Sequence, residues 1–141
     1  MSHAVPFTKF CNLDGERRAL LARAAMTVAL SSAAVALLPF RRAIRFGSVE
    51  TAGPAGQSIE DWLWAVEAAA RRVPWRAVCI EKGLALQRLL RRDGIDARLH
   101  YGARHDPNDG KLQAHVWVTV GDRTVMGGAE AAGFAEVASY P

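Results

Sequence analysis

The chain has 141 residues, a formal net charge of +4 and two cysteines. This length is enough for one domain with a buried core but not for two. Two cysteines are too few for a disulfide framework and favour a reducing cytosol. The basic residues do not alternate with aromatic ones and no nucleic-acid-binding motif is present, so we expect no nucleic-acid partner.

The N-terminal third is dominated by an alanine-rich segment. Residues 1–14 are expected to form an irregular arm, followed by one helix from Glu16 to about Leu38 that Pro39 ends. The segment Ala24–Phe40 carries no charged residue, and its length approaches that of a membrane span. We expect a buried helix here. The alternatives are a helix at or in the membrane, or a signal sequence, which the preceding Asp14 and Glu16 disfavour.

A Gly- and Pro-containing segment at residues 47–56 is the one plausible internal boundary. We therefore predict an N-terminal helical extension over residues 1–50, packed on or near the core, and a main domain over residues 51–141. Several arginines lie on predicted helices. We expect them to be solvated, and the alternative is a docking surface for an acidic peptide or anionic lipid.

Two helices follow the boundary. Ser58 is a typical N-cap, with Asp61 three residues later, and apolar residues at helical spacing follow until Pro74. The second helix is predicted from about Ala77 to Arg92 and closes at Gly94, a residue type that favours helix C-termini.

From Ile95 onward, apolar and polar residues alternate, as in half-buried strands. Strands are expected near residues 97–101, 113–120 and 123–126, with a turn at Gly121-Asp122. In the second of these strands, Gln113, His115 and Trp117 share the face opposite to the apolar one. Helices followed by an antiparallel sheet indicate an α+β fold.

Cys79 and His115 are the candidate catalytic residues. Cys79 lies in the first turn of its helix, where unpaired backbone N–H groups and the helix dipole stabilise a thiolate and can hold an oxyanion. Considered singly, each residue is more often structural, Cys79 as a small buried side chain and His115 as a satisfied strand histidine. A cysteine at a helix start beside a strand histidine is, however, typical of cysteine-nucleophile enzymes.

Blocks of sequence within residues 58–128 resemble the transglutaminase-like leader peptidases of lasso-peptide biosynthesis, the peptidase half of the lasso "B protein", a group that includes the microcin-processing enzyme. The blocks are Pro74-Trp75-Arg76-x-x-Cys79, Ala85-Leu86-x-x-Leu89-Leu90-Arg91-Arg92-x-Gly94 and Ala114-His115-Val116-Trp117-Val118. The resemblance implies a papain/transglutaminase-like α+β fold. It also implies a Cys-His-Asp triad that removes the leader from a precursor peptide. Trp75 and Gln113 lie beside these blocks without an assigned role.

The third member of the triad is open. In the family, the acid commonly lies on the return strand of the hairpin that carries the histidine. Pairing across the Gly121-Asp122 turn places Met126, Gly127 and Gly128 opposite His115, with no carboxylate. The candidates are Glu130 and Asp122, and an amide or carbonyl can also orient a histidine. A degenerate, non-proteolytic site is the remaining alternative.

The resemblance implies further partners and a setting. The chain is too short to include a leader-recognition domain, so we expect a separate leader-recognition protein, a precursor peptide and a lasso cyclase as partners.

We expect a cytoplasmic protein, with association at the inner-membrane surface as the alternative. No cofactor or metal is expected: the Asp106–Gly110 loop fails the EF-hand pattern, and the histidine spacing matches no zinc site. A scaffold role and acyl transfer on the same thiol are the alternative functions.

Overall fold

The computed structural model describes residues 15–53 and 56–141, so the predictions for the arm at residues 1–14, with Cys11, lie outside the described residues. Within the described part, the helices are α1 (Gly15–Leu37), α2 (Phe40–Ala43), α3 (Ile59–Arg72), α4 (Cys79–Arg92) and α5 (Gly128–Ala131). The strands are β1 (Ala97–His105), β2 (Leu112–Val120), β3 (Arg123–Met126) and β4 (Ala135–Tyr140).

Helix α1 packs on α3 and α4 through one face, which buries Leu20, Leu21, Ala24 and Val28. These side chains belong to the same hydrophobic cluster as the rest of the domain. The helix is long and apolar enough to cross a membrane, and one third of its most apolar window is buried in the domain. This is weak evidence for a span, because core helices and signal sequences share these properties.

The signals at the ends of α3 and α4 act as the sequence predicts. Ser58 Oγ accepts a hydrogen bond from the Asp61 N–H at 3.1 Å. Gly94 adopts a positive φ of 80° just after α4. Helix α4 begins at Cys79 rather than at Ala77, because Val78 is still extended and its N–H donates to the Glu81 carboxylate at 2.8 Å.

The four strands form an antiparallel sheet in the order β3-β2-β1-β4. Strand β1 pairs with β2 from Ala97↔Val120 to His105↔Leu112. The predicted hairpin across the Gly121-Asp122 turn is formed by β2 and β3, from Val120↔Arg123 to Val118↔Met126. The sequence did not predict β4, which adds to the other edge of β1. Its residues are mostly exposed, so it lacks the apolar alternation that marks a half-buried strand.

Helix α4 lies close against one face of the sheet. Val116 and Val118 of β2 and Leu99 of β1 are buried beneath it. A Cβ added at Gly83 would lie 3.1 Å from the side chains of both Leu99 and Val116. The missing side chain at Gly83 therefore allows the helix to approach the sheet and brings its first turn near β2.

Asp93, at the end of α4, forms hydrogen bonds with α3 and with the segment that precedes it. Its carboxylate accepts hydrogen bonds from Trp62 Nε1 of α3 at 3.0 Å and from the N–H groups of Gly56 and Gln57 at 3.0 and 2.8 Å. Burial alone would raise the pKa of Asp93, but these hydrogen bonds together lower it below its usual value. The end of the 47–56 segment is thus held on α4, and a domain boundary near residue 50 stays a prediction.

Candidate active site

Cys79 is the first residue of α4 and carries a free, half-buried thiol. The N-cap residue, Val78, has no side-chain acceptor, so its side chain does not occupy the N–H groups of the first turn. Two contacts from α1 hold this part of the chain. Ser31 Oγ donates to the Glu81 carbonyl at 2.8 Å, and Trp75 Nε1 donates to Ser32 Oγ at 2.9 Å.

The His115 imidazole is largely buried, with 12% of its side chain exposed. Its Nε2 lies 3.0 Å from the Gly127 carbonyl oxygen, and its ring centroid is 5.3 Å from that of Phe134 and 6.1 Å from that of Trp117. A carbonyl oxygen only accepts hydrogen bonds, so Nε2 carries the proton. In the neutral ring, Nδ1 is therefore left with the lone pair that a general base needs.

Cys79 and His115 together line two cavities. The first, here called the polar cavity, has a volume of about 190 Å³ and is also lined by Glu67, Lys82 and Glu130. The second, the apolar cavity, measures about 360 Å³ and adds Phe40, Val78, Ile80 and Tyr101 to its lining.

No hydrogen bond joins Cys79 Sγ to the His115 imidazole in this structure, although both residues lie in its described part. Catalytic hydrogen bonds are often long or absent in the free enzyme and form when substrate binds. The shared cavities show that both side chains reach the same space. The site thus holds a thiol and an oriented imidazole together without a preformed ion pair.

Of the two carboxylates considered from the sequence, only Glu130 is near the imidazole. Its Oε2 lies 3.8 Å from His115 Nε2, and 64% of the Glu130 side chain is exposed. Asp122 is exposed in the β2–β3 turn, two residues beyond the end of β2 and seven residues along the chain from His115, which places it on the order of 20 Å away. The closest acceptor to His115 Nε2 is the Gly127 carbonyl.

The sequence did not identify several groups at this site. Lys82 follows Cys79 by three residues, and helical spacing could have placed it on the same face. Its Nζ lies 3.5 Å from Glu67 Oε2. The Gly127 carbonyl could not be identified from the sequence, because every residue has a backbone carbonyl. Phe40 and Tyr101 arrive from distant parts of the chain.

Other residues singled out from the sequence lie elsewhere. Gln113 bonds to Arg104 at 2.8 Å and to Asp106 at 2.9 Å. Asp106 and Asp109 each accept from a backbone N–H two residues later, at 2.7 and 2.8 Å, as turn residues do. Across residues 15–53 and 56–141, His, Cys, Asp and Glu form no group of three suited to a metal ion.

Comparison with known proteins identifies the family of the chain. The profile of the transglutaminase-like superfamily matches residues 19–139, which is most of the chain. No curated protein and no solved structure matches the chain. The helices and the antiparallel sheet confirm the predicted α+β class with a papain/transglutaminase-like fold. The chain belongs to the transglutaminase-like superfamily, whose members include cysteine peptidases and acyltransferases.

Proposed function

We propose that the chain is a cysteine peptidase that removes the leader peptide from a ribosomally made, lasso-type precursor. The observation that carries the peptidase chemistry is that Cys79 and His115 line the same cavities while the Gly127 carbonyl orients the imidazole. Family membership supports a cysteine nucleophile. The lasso-type substrate rests on the sequence blocks around Cys79, Leu89 and His115.

In the proposed mechanism, His115 Nδ1 takes the thiol proton as Cys79 Sγ bonds to the carbonyl carbon of the scissile peptide. Backbone N–H groups in the first turn of α4 stabilise the oxyanion. The imidazolium then gives its proton to the leaving amine, the C–N bond breaks, and an acyl-enzyme remains. Water, deprotonated by His115, attacks the thioester, which releases the new carboxyl terminus and regenerates the thiol.

The Gly127 carbonyl serves as the orienting group in this proposal, and Glu130 assists it electrostatically. A carbonyl can fix the tautomer of His115 but cannot compensate the full charge of an imidazolium. Glu130, at 3.8 Å, supplies a negative charge that is partly screened by solvent. We therefore place Glu130, rather than Asp122, in the third position.

The same proposal includes the partners. A separate leader-recognition protein presents the precursor peptide, and a lasso cyclase consumes the product. We place the protein in the cytoplasm, with the exposed apolar face of α1 (Met26, Leu30 and Leu37) as the part that contacts the inner membrane if such contact occurs.

Acyl transfer is the second candidate function, favoured by a family that includes acyltransferases. In that case an amine, rather than water, attacks the thioester. Nothing in the residues around Cys79 selects one acceptor over the other.

The test incubates a candidate lasso-type precursor peptide with the full chain and a candidate leader-recognition protein, and follows the peptide by mass spectrometry. Hydrolysis yields free leader ending in a carboxylate, whereas transfer yields leader joined to an amine. The peptidase proposal expects free leader from the native chain and none from Cys79→Ala or His115→Ala. Unchanged cleavage by Cys79→Ala would refute Cys79 as the nucleophile. No change of the peptide by the native chain would refute the peptidase proposal and favour a scaffold role.

A further inference from the structure

The apolar cavity beside Cys79 contains an unusual concentration of exposed apolar side chains. Phe40 is 46% exposed and Val78 is 43% exposed, and both line this cavity. Single exposed apolar residues need no explanation, but several that converge on one cavity mark a binding site. Apart from Cys79 and His115, the described residues that line the cavity have apolar or tyrosine side chains.

The polar cavity differs in character. Glu67, Lys82 and Glu130 bring formal charges into the polar cavity, whereas none of the described Asp, Glu, Lys or Arg residues lines the apolar one. Cys79 and His115 belong to both linings. A peptide bound at Cys79 is therefore within reach of an apolar surface and of a charged one.

The apolar cavity is built by parts of the chain that hold one another in place. Phe40 opens α2, directly after Pro39, and its ring centroid is 5.3 Å from that of Tyr101 on β1. Val78 and Ile80 flank Cys79 in sequence. A side chain bound here would consequently lie within one residue of the bond that Cys79 attacks.

We propose that this cavity, formed by Phe40, Val78, Ile80 and Tyr101, binds a large aliphatic or aromatic side chain of the substrate next to the scissile bond. The proposal rests on the peptidase function above and adds the substrate preference. Its volume of about 360 Å³ is at the lower end of the ~300–1,000 Å³ usual for ligand sites and is large enough for an aromatic side chain.

The test measures side-chain preference without needing the natural substrate. The probes are chloroacetyl-Phe-amide, chloroacetyl-Leu-amide, chloroacetyl-Gly-amide and chloroacetyl-Asp-amide. Each probe alkylates a thiolate with loss of chloride. Mass spectrometry of the digested protein measures the fraction of the Cys79-containing peptide that is alkylated, and hence the rate at Cys79. The expected result is that the Phe and Leu probes react at least about tenfold faster than the Gly and Asp probes, since one or two methylenes in an apolar pocket change rates by about 10- to 200-fold.

Variants place the preference in the cavity. Phe40→Asp should reduce the Phe/Gly rate ratio at least about fivefold, while Phe40→Leu should retain it. Leu37→Asp is the matched control, because Leu37 is 81% exposed and outside the cavity. Val78→Asp is a second variant, because Asp at a helix N-cap favours folding while it places a charge in the cavity. Using a ratio cancels any change in the intrinsic reactivity of the thiol.

A Phe/Gly ratio near one in the native chain, or a ratio that survives both Phe40→Asp and Val78→Asp, overturns the proposal. Failure of the pocket proposal can be distinguished from failure of the peptidase proposal. Iodoacetamide has no amino-acid side chain to bind in the cavity, so it measures only the reactivity of the Cys79 thiol on which the peptidase proposal depends. A Cys79 that outpaces Cys11 with iodoacetamide but shows no preference retains the peptidase and refutes the pocket. A Cys79 that reacts slowly with iodoacetamide but still prefers the Phe probe retains the pocket and counts against the peptidase function.

Discussion

His115 Nε2 lies 3.0 Å from the carbonyl oxygen of Gly127, twelve residues later on the chain. Gly127 follows β3 with a φ of 76°, in the left-handed region that favours glycine. A Cβ at this position would lie 2.8 Å from the Val116 carbonyl oxygen and 3.1 Å from His115 Nε2. A glycine is therefore required both for the backbone conformation and for the close approach of the imidazole.

We expect Gly127→Ala to destabilise the fold by about 1–3 kcal/mol, because it combines left-handed strain with a backbone clash. The labelling advantage of Cys79 with iodoacetamide should fall with it, since His115 would be displaced. The free energy of unfolding in urea and the alkylation rate measure the two effects. Gly110→Ala is the control: its φ of 72° is similar, but an added Cβ meets nothing within 4 Å. Equal losses in both variants would contradict a special role for Gly127.

Glu130→Gln should slow precursor cleavage less than about fivefold. The pair with His115 is long and Glu130 is mostly exposed, and exposed ion pairs contribute about 0–1 kcal/mol. His115→Ala, in contrast, should remove the general base and reduce cleavage about 10²- to 10⁴-fold. Rates of leader release measured by mass spectrometry compare the two, with Asp122→Asn as the control that changes nothing. A loss in Glu130→Gln as large as that in His115→Ala would make the carboxylate, not the Gly127 carbonyl, the principal orienting group.

Asp93→Asn should destabilise the domain at neutral pH by about 1–3 kcal/mol, because the variant loses a charged acceptor for the Trp62 indole and two backbone N–H groups. The hydrogen bonds lower the pKa of Asp93 in the folded state, so the native chain binds this proton less readily than the unfolded chain. The stabilisation is complete above the unfolded pKa of about 4 and is lost as the pH falls through the folded value.

The urea-unfolding free energies of the native chain and of Asp93→Asn should therefore converge below about pH 4. Asp122→Asn, in an exposed turn, is the control and should follow the native curve. A gap between the native chain and Asp93→Asn that is constant with pH would show that ionised Asp93 has no special role.

Gly83→Ala should destabilise the domain by about 1–3 kcal/mol, as overpacking in a filled core does. Its Cβ would press on Leu99 and Val116 at 3.1 Å and push α4 away from β2. Since Cys79 and His115 lie on those two elements, labelling of Cys79 should also change. Thermal unfolding and alkylation test both effects. Native-like stability with native-like labelling would show that α4 has room to spare above the sheet.

The sequence predicted the elements that have strong periodicity or punctuation. Helix α3 was predicted from Ser58 and Pro74, and the β2–β3 hairpin from the alternating residues of β2 and the Gly121-Asp122 turn. The missed elements have weak patterns: α2 and α5 are four residues long, and β4 is mostly exposed on the sheet edge.

The positions of the candidate site residues were predictable to a similar extent, and their catalytic roles stay a prediction. Cys79 and His115 each occupy a position whose chemistry can be read from local sequence, a helix start and a strand face. The Gly127 carbonyl could not be found, because a backbone acceptor has no side-chain signature. The apolar cavity could not be found either, since Phe40 and Tyr101 meet only through the tertiary fold.

The central claim is that His115 activates Cys79, and pH-dependent alkylation tests it most directly. Iodoacetamide is applied at a pH of about 6.5, well below the ~8.5 at which an ordinary cysteine ionises, with Cys11 as the internal reference. We expect Cys79 to react at least about tenfold faster than Cys11, and His115→Ala to abolish the difference. Equal slow labelling of both cysteines, unaffected by His115→Ala, would contradict it.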